Sequence, residues 1–174
     1  KAAHVDQVLV AMGVDKGKGV ATPKWSQQME TREPAPLPAP NDQSITGTLQ
    51  WISLARSDLQ FPTKELARSL TKPTVIDWAR LKKVARYLSH TRDYVLNLIY
   101  DPAAPLALVG CSDAAWSGTG GKSTTGYAIW LQGTLLSTAS KTQGVIALSA
   151  GEAELYSINS TIAEMLFLRG ILEF

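Results

Sequence analysis

Near His90 the hydrophobic period of the chain changes, and that change limits the folds open to it. Upstream, apolar residues recur every three or four positions: Val5, Val8, Leu9 and Met12, then Ile45, Leu49, Ile52 and Leu54. A second helix of this part starts near Thr63 (Lys64, Glu65, Leu66, Leu70), and a third carries Trp78, Leu81, Val84, Ala85 and Leu88 as one stripe. This is the 3.6-residue signature of helices with one buried face. Downstream the pattern is strand-like: Tyr94–Tyr100 and Leu106–Ser112 about an Asp101-Pro102 turn, then Thr125–Leu131 and Leu135–Ser140 as a hairpin about Gln132-Gly133-Thr134. A last helix is predicted from Ser149 to the end. The expected fold class is α/β of the α+β kind: helices first, then an antiparallel meander, then a helix.

Four prolines between positions 34 and 40 interrupt the first part. They favour an extended connector over packed structure. The expected division is a short helix and Gly/Lys turn at 1–25, a Pro-rich linker at 26–43, a basic helical segment at 44–92 and a strand-rich segment at 93–174. With 174 residues, 45% hydrophobic and 18% charged, the chain can bury a core, and collagen-like, coiled-coil and wholly disordered classes are excluded. Its single cysteine, Cys111, excludes a disulfide scaffold and a Cys-rich zinc site, and reads as a small core residue. No apolar run approaches the ~18 residues of a membrane span, so no transmembrane segment is expected. The chain begins on Lys1 and closes on an apolar helical pattern at Phe174, which reads as a piece trimmed from something longer.

The net charge of +2 says little, but its distribution is uneven. Between Arg56 and Asp93 nine Lys/Arg face four acids, a local +5 against −3 for the remainder. Arg80, Lys82, Lys83 and Arg86 project around the polar faces of the third helix. A basic helical block of this kind suits a phosphate backbone, whose counterions it releases. It equally suits a solvated helix surface.

Two carboxylates stand where chemistry could be done. Asp113 closes an apolar strand on the same side as Ala107, Val109 and Cys111, facing a site at the sheet edge; the alternative is a turn or cap aspartate before Ser117-Gly118. On the last helix, Leu155, Ile158, Ile162, Met165 and Leu166 define an apolar arc expected to face inward. Glu152 falls inside that arc and Glu154 near its solvated border. A carboxylate on a buried face must be paired, protonated or metal-bound, which favours Glu152. The alternative is a capping box, with Glu152 reaching back to the Ser149 backbone N–H. An Asp on a strand and a Glu on the following helix form a pair of hard oxygen ligands for Mg²⁺ or Mn²⁺, and imply metal-assisted phosphodiester hydrolysis. His4 and His90 have no triad context, and Gly118–Gly121 before Lys122-Ser123 lacks phosphate-loop spacing and reads as a turn.

The run from Cys111 to Tyr156, with SDAAW, GKSTTGY, SKTQGVIALS and GEAELY, resembles the ribonuclease H region of copia-type retrotransposon polyproteins, which carry SDADW, a KSTSGY-like hairpin and an ALSSTEAEY helix start. Upstream, VDQVLVAMGVDKGKGVATP resembles the close of the preceding reverse transcriptase. TGTLQWISLARSDLQFPTKELARSL and WARLKKVARYLSHTRDYVLNLIY resemble the connection between the two. Nearly the whole chain outside the proline segment takes part.

This resemblance implies a helical connection followed by a partial ribonuclease H-like fold, with Asp113 and Glu152 as catalytic and metal-holding acids. It implies Mg²⁺ or Mn²⁺ as cofactor and an RNA:DNA hybrid as partner, held in part by Arg80, Lys82, Lys83 and Arg86. A cytoplasmic or particle-associated setting follows from the same source. The second Asp of the SDAD pattern is Ala115 here, and the Tyr after the helix glutamates is Leu155. By the same resemblance, the polymerase aspartates belong upstream of Lys1 and the remaining nuclease acids downstream of Phe174, so the stretch is expected to be incomplete as an enzyme. The alternative function is a non-catalytic structural subunit derived from such an element, packed against other protein chains.

Overall fold

The structure, a computed structural model, describes residues 2–14, 18–25, 42–99, 101–116 and 121–173. Nearly all of the proline-rich linker, part of the expected Gly/Lys turn (residues 15–17) and residues 117–120 lie outside them. The chain divides into two units, residues 1–96 and 97–174. Among the described residues no helix is long and apolar enough to cross a membrane.

The first unit is helical: α1 (Ala2–Ala11), α2 (Asp42–Ser53), a 3₁₀ turn (Ser57–Leu59), α3 (Gln60–Arg68) and α4 (Val75–His90). Helical spacing explains its core. Val5, Val8, Leu9 and Met12 of the first helical segment, Ile45, Leu49 and Ile52 of α2, and Leu81, Val84, Ala85 and Leu88 of α4 are all buried in one cluster. Two helix ends are closed by local devices. After α1, Gly13 adopts φ +60°, its N–H donates to the Val10 carbonyl and the Val14 N–H donates to the Leu9 carbonyl, which is a Schellman motif. Before α4, the Thr74 hydroxyl accepts from the Asp77 N–H at 3.3 Å while the Asp77 carboxylate accepts from the Thr74 N–H at 3.1 Å.

A polar clamp joins the 3₁₀ turn to the end of α4. Arg56 grips the Asp58 carboxylate through two nitrogens, at 2.9 and 2.7 Å, and donates to the carbonyl and hydroxyl oxygens of Thr91 at 2.9 and 2.7 Å. Burial opposes charge on Asp58, but hydrogen bonds from Arg56 and Tyr87 outweigh it and hold the carboxyl below its ordinary value.

The second unit is a three-stranded antiparallel sheet in the order β1-β2-β3, followed by one long helix: β1 (Leu108–Ala115), β2 (Thr124–Leu131), β3 (Thr134–Thr142) and α5 (Ala150–Leu172). A meander and then a helix is the arrangement expected of a partial ribonuclease H-like fold. Gln132 and Gly133, at φ 47° and 76°, make the two-residue turn of the β2–β3 hairpin, whose twist matches that of the strands it joins. Two expectations fail here. Of the strand expected at Tyr94–Tyr100, residue 100 lies outside the described residues, and 94–99 pair with no strand among them and stay exposed, because a strand-like pattern needs a ladder partner to become a strand. The strand expected at Leu106–Ser112 instead runs from Leu108 to Ala115, which carries Asp113 inside it.

The helix α5 also packs differently from expectation. Of the expected arc, Leu155, Ile158, Ile162 and Leu166 are exposed, by 43% to 66%, and only Met165 is half-buried, over Gly110, while Ala153, Ser157 and Thr161 are buried against the sheet. Small residues let the helix approach closely, and β1 answers with Gly110. A Cβ built there would meet the Met165 Sδ at 2.5 Å and the Thr161 Cγ2 at 3.1 Å. Strand alternation then sorts the sheet. Gly110, Ser112 and Ala114, with Thr125, Tyr127 and Ile129 opposite them, face α5; Cys111 and Asp113 face away. Cys111 is therefore exposed and not a core residue.

Candidate functional site

Asp113 sits within β1, paired across the ladder with Gly126, and its side chain is exposed on the face away from α5. It is neither a turn nor a cap aspartate. The adjoining Ala114 N–H points outward from β1, which forms one edge of the three strands, and donates to Oε1 of Glu154 at 3.3 Å. Glu154, half-buried in the first turns of α5, thus brings its carboxylate to the strand edge one peptide away from Asp113. The two acids approach the same stretch of β1, Asp113 from one face and Glu154 along the edge from the other.

Glu152 is occupied elsewhere. Its Oε2 accepts from the Leu148 N–H at 2.7 Å, and its own N–H donates to the Ser149 hydroxyl at 3.1 Å. This is a capping arrangement in which the carboxylate reaches Leu148, one residue beyond the Ser149 N–H expected of a capping box. Assigning Glu152 to the inward face followed from assigning the apolar arc to the core. With the small-residue face buried instead, the helix turns so that Glu154 is the acid that meets β1. The signal that could have found it was the spacing Ala153, Ser157, Thr161, a stripe of small residues beside Glu154.

The donor set is compatible with a hard cation. One oxygen of Glu154 is anchored by a backbone N–H, which leaves the other for a ligand, and Asp113 is open to solvent. Among the described residues no group of three or more His, Cys, Asp or Glu gathers as a metal cage. Two carboxylates suit Mg²⁺ or Mn²⁺ better than a cation needing a full protein shell, since Mg²⁺ is commonly held by one or two carboxylates plus water and substrate phosphate.

Of the four basic residues, Arg80 is held within the first unit. It pairs with Asp77 at 3.2 Å, and its guanidinium lies 5.1 Å from the centroid of the buried Trp25 ring. Lys82 and Arg86, one helical turn apart, are exposed, and Lys83 is half-buried. The exposed cations of α4 are thus Lys82 and Arg86, on the side away from the stripe Leu81, Val84, Ala85 and Leu88.

No family model matches the chain, and no solved structure matches it. Among curated proteins it is 33% identical over 159 residues to the retrovirus-related Pol polyprotein from transposon RE2 of Arabidopsis thaliana, a match covering 89% of this chain and 11% of that protein. It is 29% identical over 181 residues to the Pol polyprotein from transposon TNT 1-94 of Nicotiana tabacum, covering 98% of this chain and 13% of that one. It is also 34% identical over 128 residues to the secreted RxLR effector protein 161 of Plasmopara viticola, covering 72% of this chain and 89% of that protein. The chain therefore spans about a tenth of the length of the Pol polyproteins it matches.

Proposed function

Because the chain belongs to the copia-type retrotransposon Pol polyproteins, we propose that its second unit supplies the opening half of a metal-dependent ribonuclease H acting on the RNA strand of an RNA:DNA hybrid. Asp113 and Glu154 hold Mg²⁺ or Mn²⁺ in this reading, in place of Asp113 and Glu152. The observation that carries it is the 3.3 Å contact between the Glu154 carboxylate and the Ala114 N–H, beside Asp113. A divalent ion bound there would supply Lewis-acid polarisation of a phosphodiester and a water of lowered pKa. The chain's own part is positional. The backbone N–H of Ala114 fixes one Glu154 oxygen at the edge of β1, and the β1 ladder fixes the Cα of Asp113, whose carboxylate is exposed on the sheet face beside it. Further acids of the reaction lie outside this pair. In the first unit Lys82, Lys83 and Arg86 bind the hybrid backbone and release its counterions, while Arg80 keeps α4 in place.

The test is Mn²⁺ binding to the full chain, read by electron paramagnetic resonance, with hybrid binding measured alongside. Asp113→Asn and Glu154→Gln are expected each to weaken Mn²⁺ binding by tenfold or more, and Glu152→Gln to leave it within twofold. Binding that survives both of the first two changes sinks the metal assignment. Hybrid binding that survives joint reversal of Lys82, Lys83 and Arg86 to Glu sinks the nucleic-acid role.

A second reading, a structural subunit without catalysis, draws on the exposed arc Leu155, Ile158, Ile162 and Leu166, since contiguous apolar surface on a soluble unit commonly marks an interaction face. It gains if neither carboxylate affects metal binding.

A further inference from the structure

We infer that Ser157 is a positioning residue that sets where the Glu154 carboxylate meets β1. The inference rests on the reading of Asp113 and Glu154 as a metal-holding pair. Ser157 is fully buried between α5 and the sheet. Its hydroxyl donates to the Asp113 carbonyl at 2.7 Å, with the Gly126 carbonyl at 3.3 Å. Asp113 and Gly126 are cross-strand partners, so one side chain of the helix is seated over the strand pair that carries the first acid. The acceptor lies on the same peptide as the Ala114 N–H that Glu154 engages. Both faces of that peptide are thus bound to α5, the carbonyl by Ser157 and the N–H by Glu154.

A second anchor brackets Glu154 from the other side. Gln143, itself buried, donates through Nε2 to the Ala153 carbonyl at 2.9 Å and to the Thr125 hydroxyl at 3.1 Å. Glu154 therefore follows a residue tied to β2 and precedes by three one tied to β1. Apolar packing alone would not fix the helix this way. The buried face of α5 is Ala153, Ser157 and Thr161, whose small side chains define closeness but little register. Directional hydrogen bonds in a water-poor seam supply the register that shape does not. Thr161 offers an internal comparison. It is buried in the same seam, but its hydroxyl donates to the Ser157 carbonyl of its own helix at 2.8 Å, so it stabilises α5 without tying it to a strand.

The experiment compares Ser157→Ala with Thr161→Ala in the full chain, both verified as folded by circular dichroism. The metal-independent readout is hydrogen exchange at the Ala114 amide. Ser157→Ala is expected to speed that exchange by roughly fivefold or more relative to β2 amides, the loss of about one net hydrogen bond, while Thr161→Ala leaves the ratio unchanged. Mn²⁺ affinity is measured on the same proteins, and Ser157→Ala is expected to lower it by a similar factor. Equal effects of the two substitutions on Ala114 exchange overturn the positioning role and leave Ser157 as general packing. If Ala114 exchange responds selectively while the unsubstituted chain binds no Mn²⁺, the metal reading fails and the positioning of Glu154 stands.

Discussion

The Tyr87 hydroxyl of α4 donates to Oδ2 of Asp58 at 2.8 Å, across 29 residues of sequence. With Arg56 on the other side of the carboxylate, this contact makes the first unit sensitive to pH at both extremes. The Asp58 carboxyl is held below its ordinary value, so its contribution is present above the unfolded value near pH ~4 and is lost as pH falls through the lower folded value. Burial, and then the neighbouring Asp58 carboxylate, raise the Tyr87 phenol. Its contribution is complete below pH ~10 and disappears as pH rises through the raised folded value. Denaturant titrations of the full chain are expected to show both losses, each on the order of 1 kcal/mol because the cluster is partly solvated. Tyr87→Phe should remove the alkaline loss, and Asp58→Asn the acid one.

Gly110 carries the close approach of α5. A side chain there must displace Met165 and press on Thr161, and overpacking of this kind costs roughly 1–3 kcal/mol. Gly110→Ala is expected near the lower end, since the Met165 thioether can swing aside, and Gly110→Val near the upper. Adding Met165→Ala to Gly110→Ala should recover part of the loss. Thermal unfolding checks this, and a Gly110→Val chain as stable as the original would contradict the packing described.

Ser149 and Glu152 act together at the start of α5, the hydroxyl on the Glu152 N–H and the carboxylate on the Leu148 N–H. Ser149→Ala is expected to cost about 1 kcal/mol of stability, typical of a lost N-cap, while Mn²⁺ affinity stays within twofold. An equal fall in Mn²⁺ affinity for Ser149→Ala and Glu154→Gln would mean that the cap and the carboxylate pair proposed to hold the metal are not separate.

Where the apolar pattern had a partner, it was readable in the sequence. Leu81, Val84, Ala85 and Leu88 recur at helical spacing and are fully buried, and Gln132-Gly133-Thr134 marked the hairpin turn, which forms on Gln132 and Gly133 with Thr134 already in β3. Periodicity shows which face of an element is apolar, but not whether anything covers it. That is why 94–99 resembled a strand and pairs with none, and why the Leu155, Ile158, Ile162 and Leu166 arc looked like a core face and stands exposed. Which of Glu152 and Glu154 meets β1 depends on the same question, the side of α5 that packs, and Gly110, Ser157 and Thr161 decide that by closeness and hydrogen bonding.

The meander has a consequence in time. Each strand pairs with its neighbour in sequence, and the β2–β3 turn closes with two residues, whereas the Ala114 to Glu154 contact spans 40. Closure entropy grows with the length of chain enclosed, so local pairings have the advantage of speed. The hairpin is expected to form first, β1 to join it, and the helix to dock last. Pulse-labelled exchange should find the Ala114 amide protected after those of β2 and β3. On a ribosome Glu154 would reach the Ala114 N–H only once α5 had begun to dock, so a nascent chain would carry the paired strands before it carried that contact.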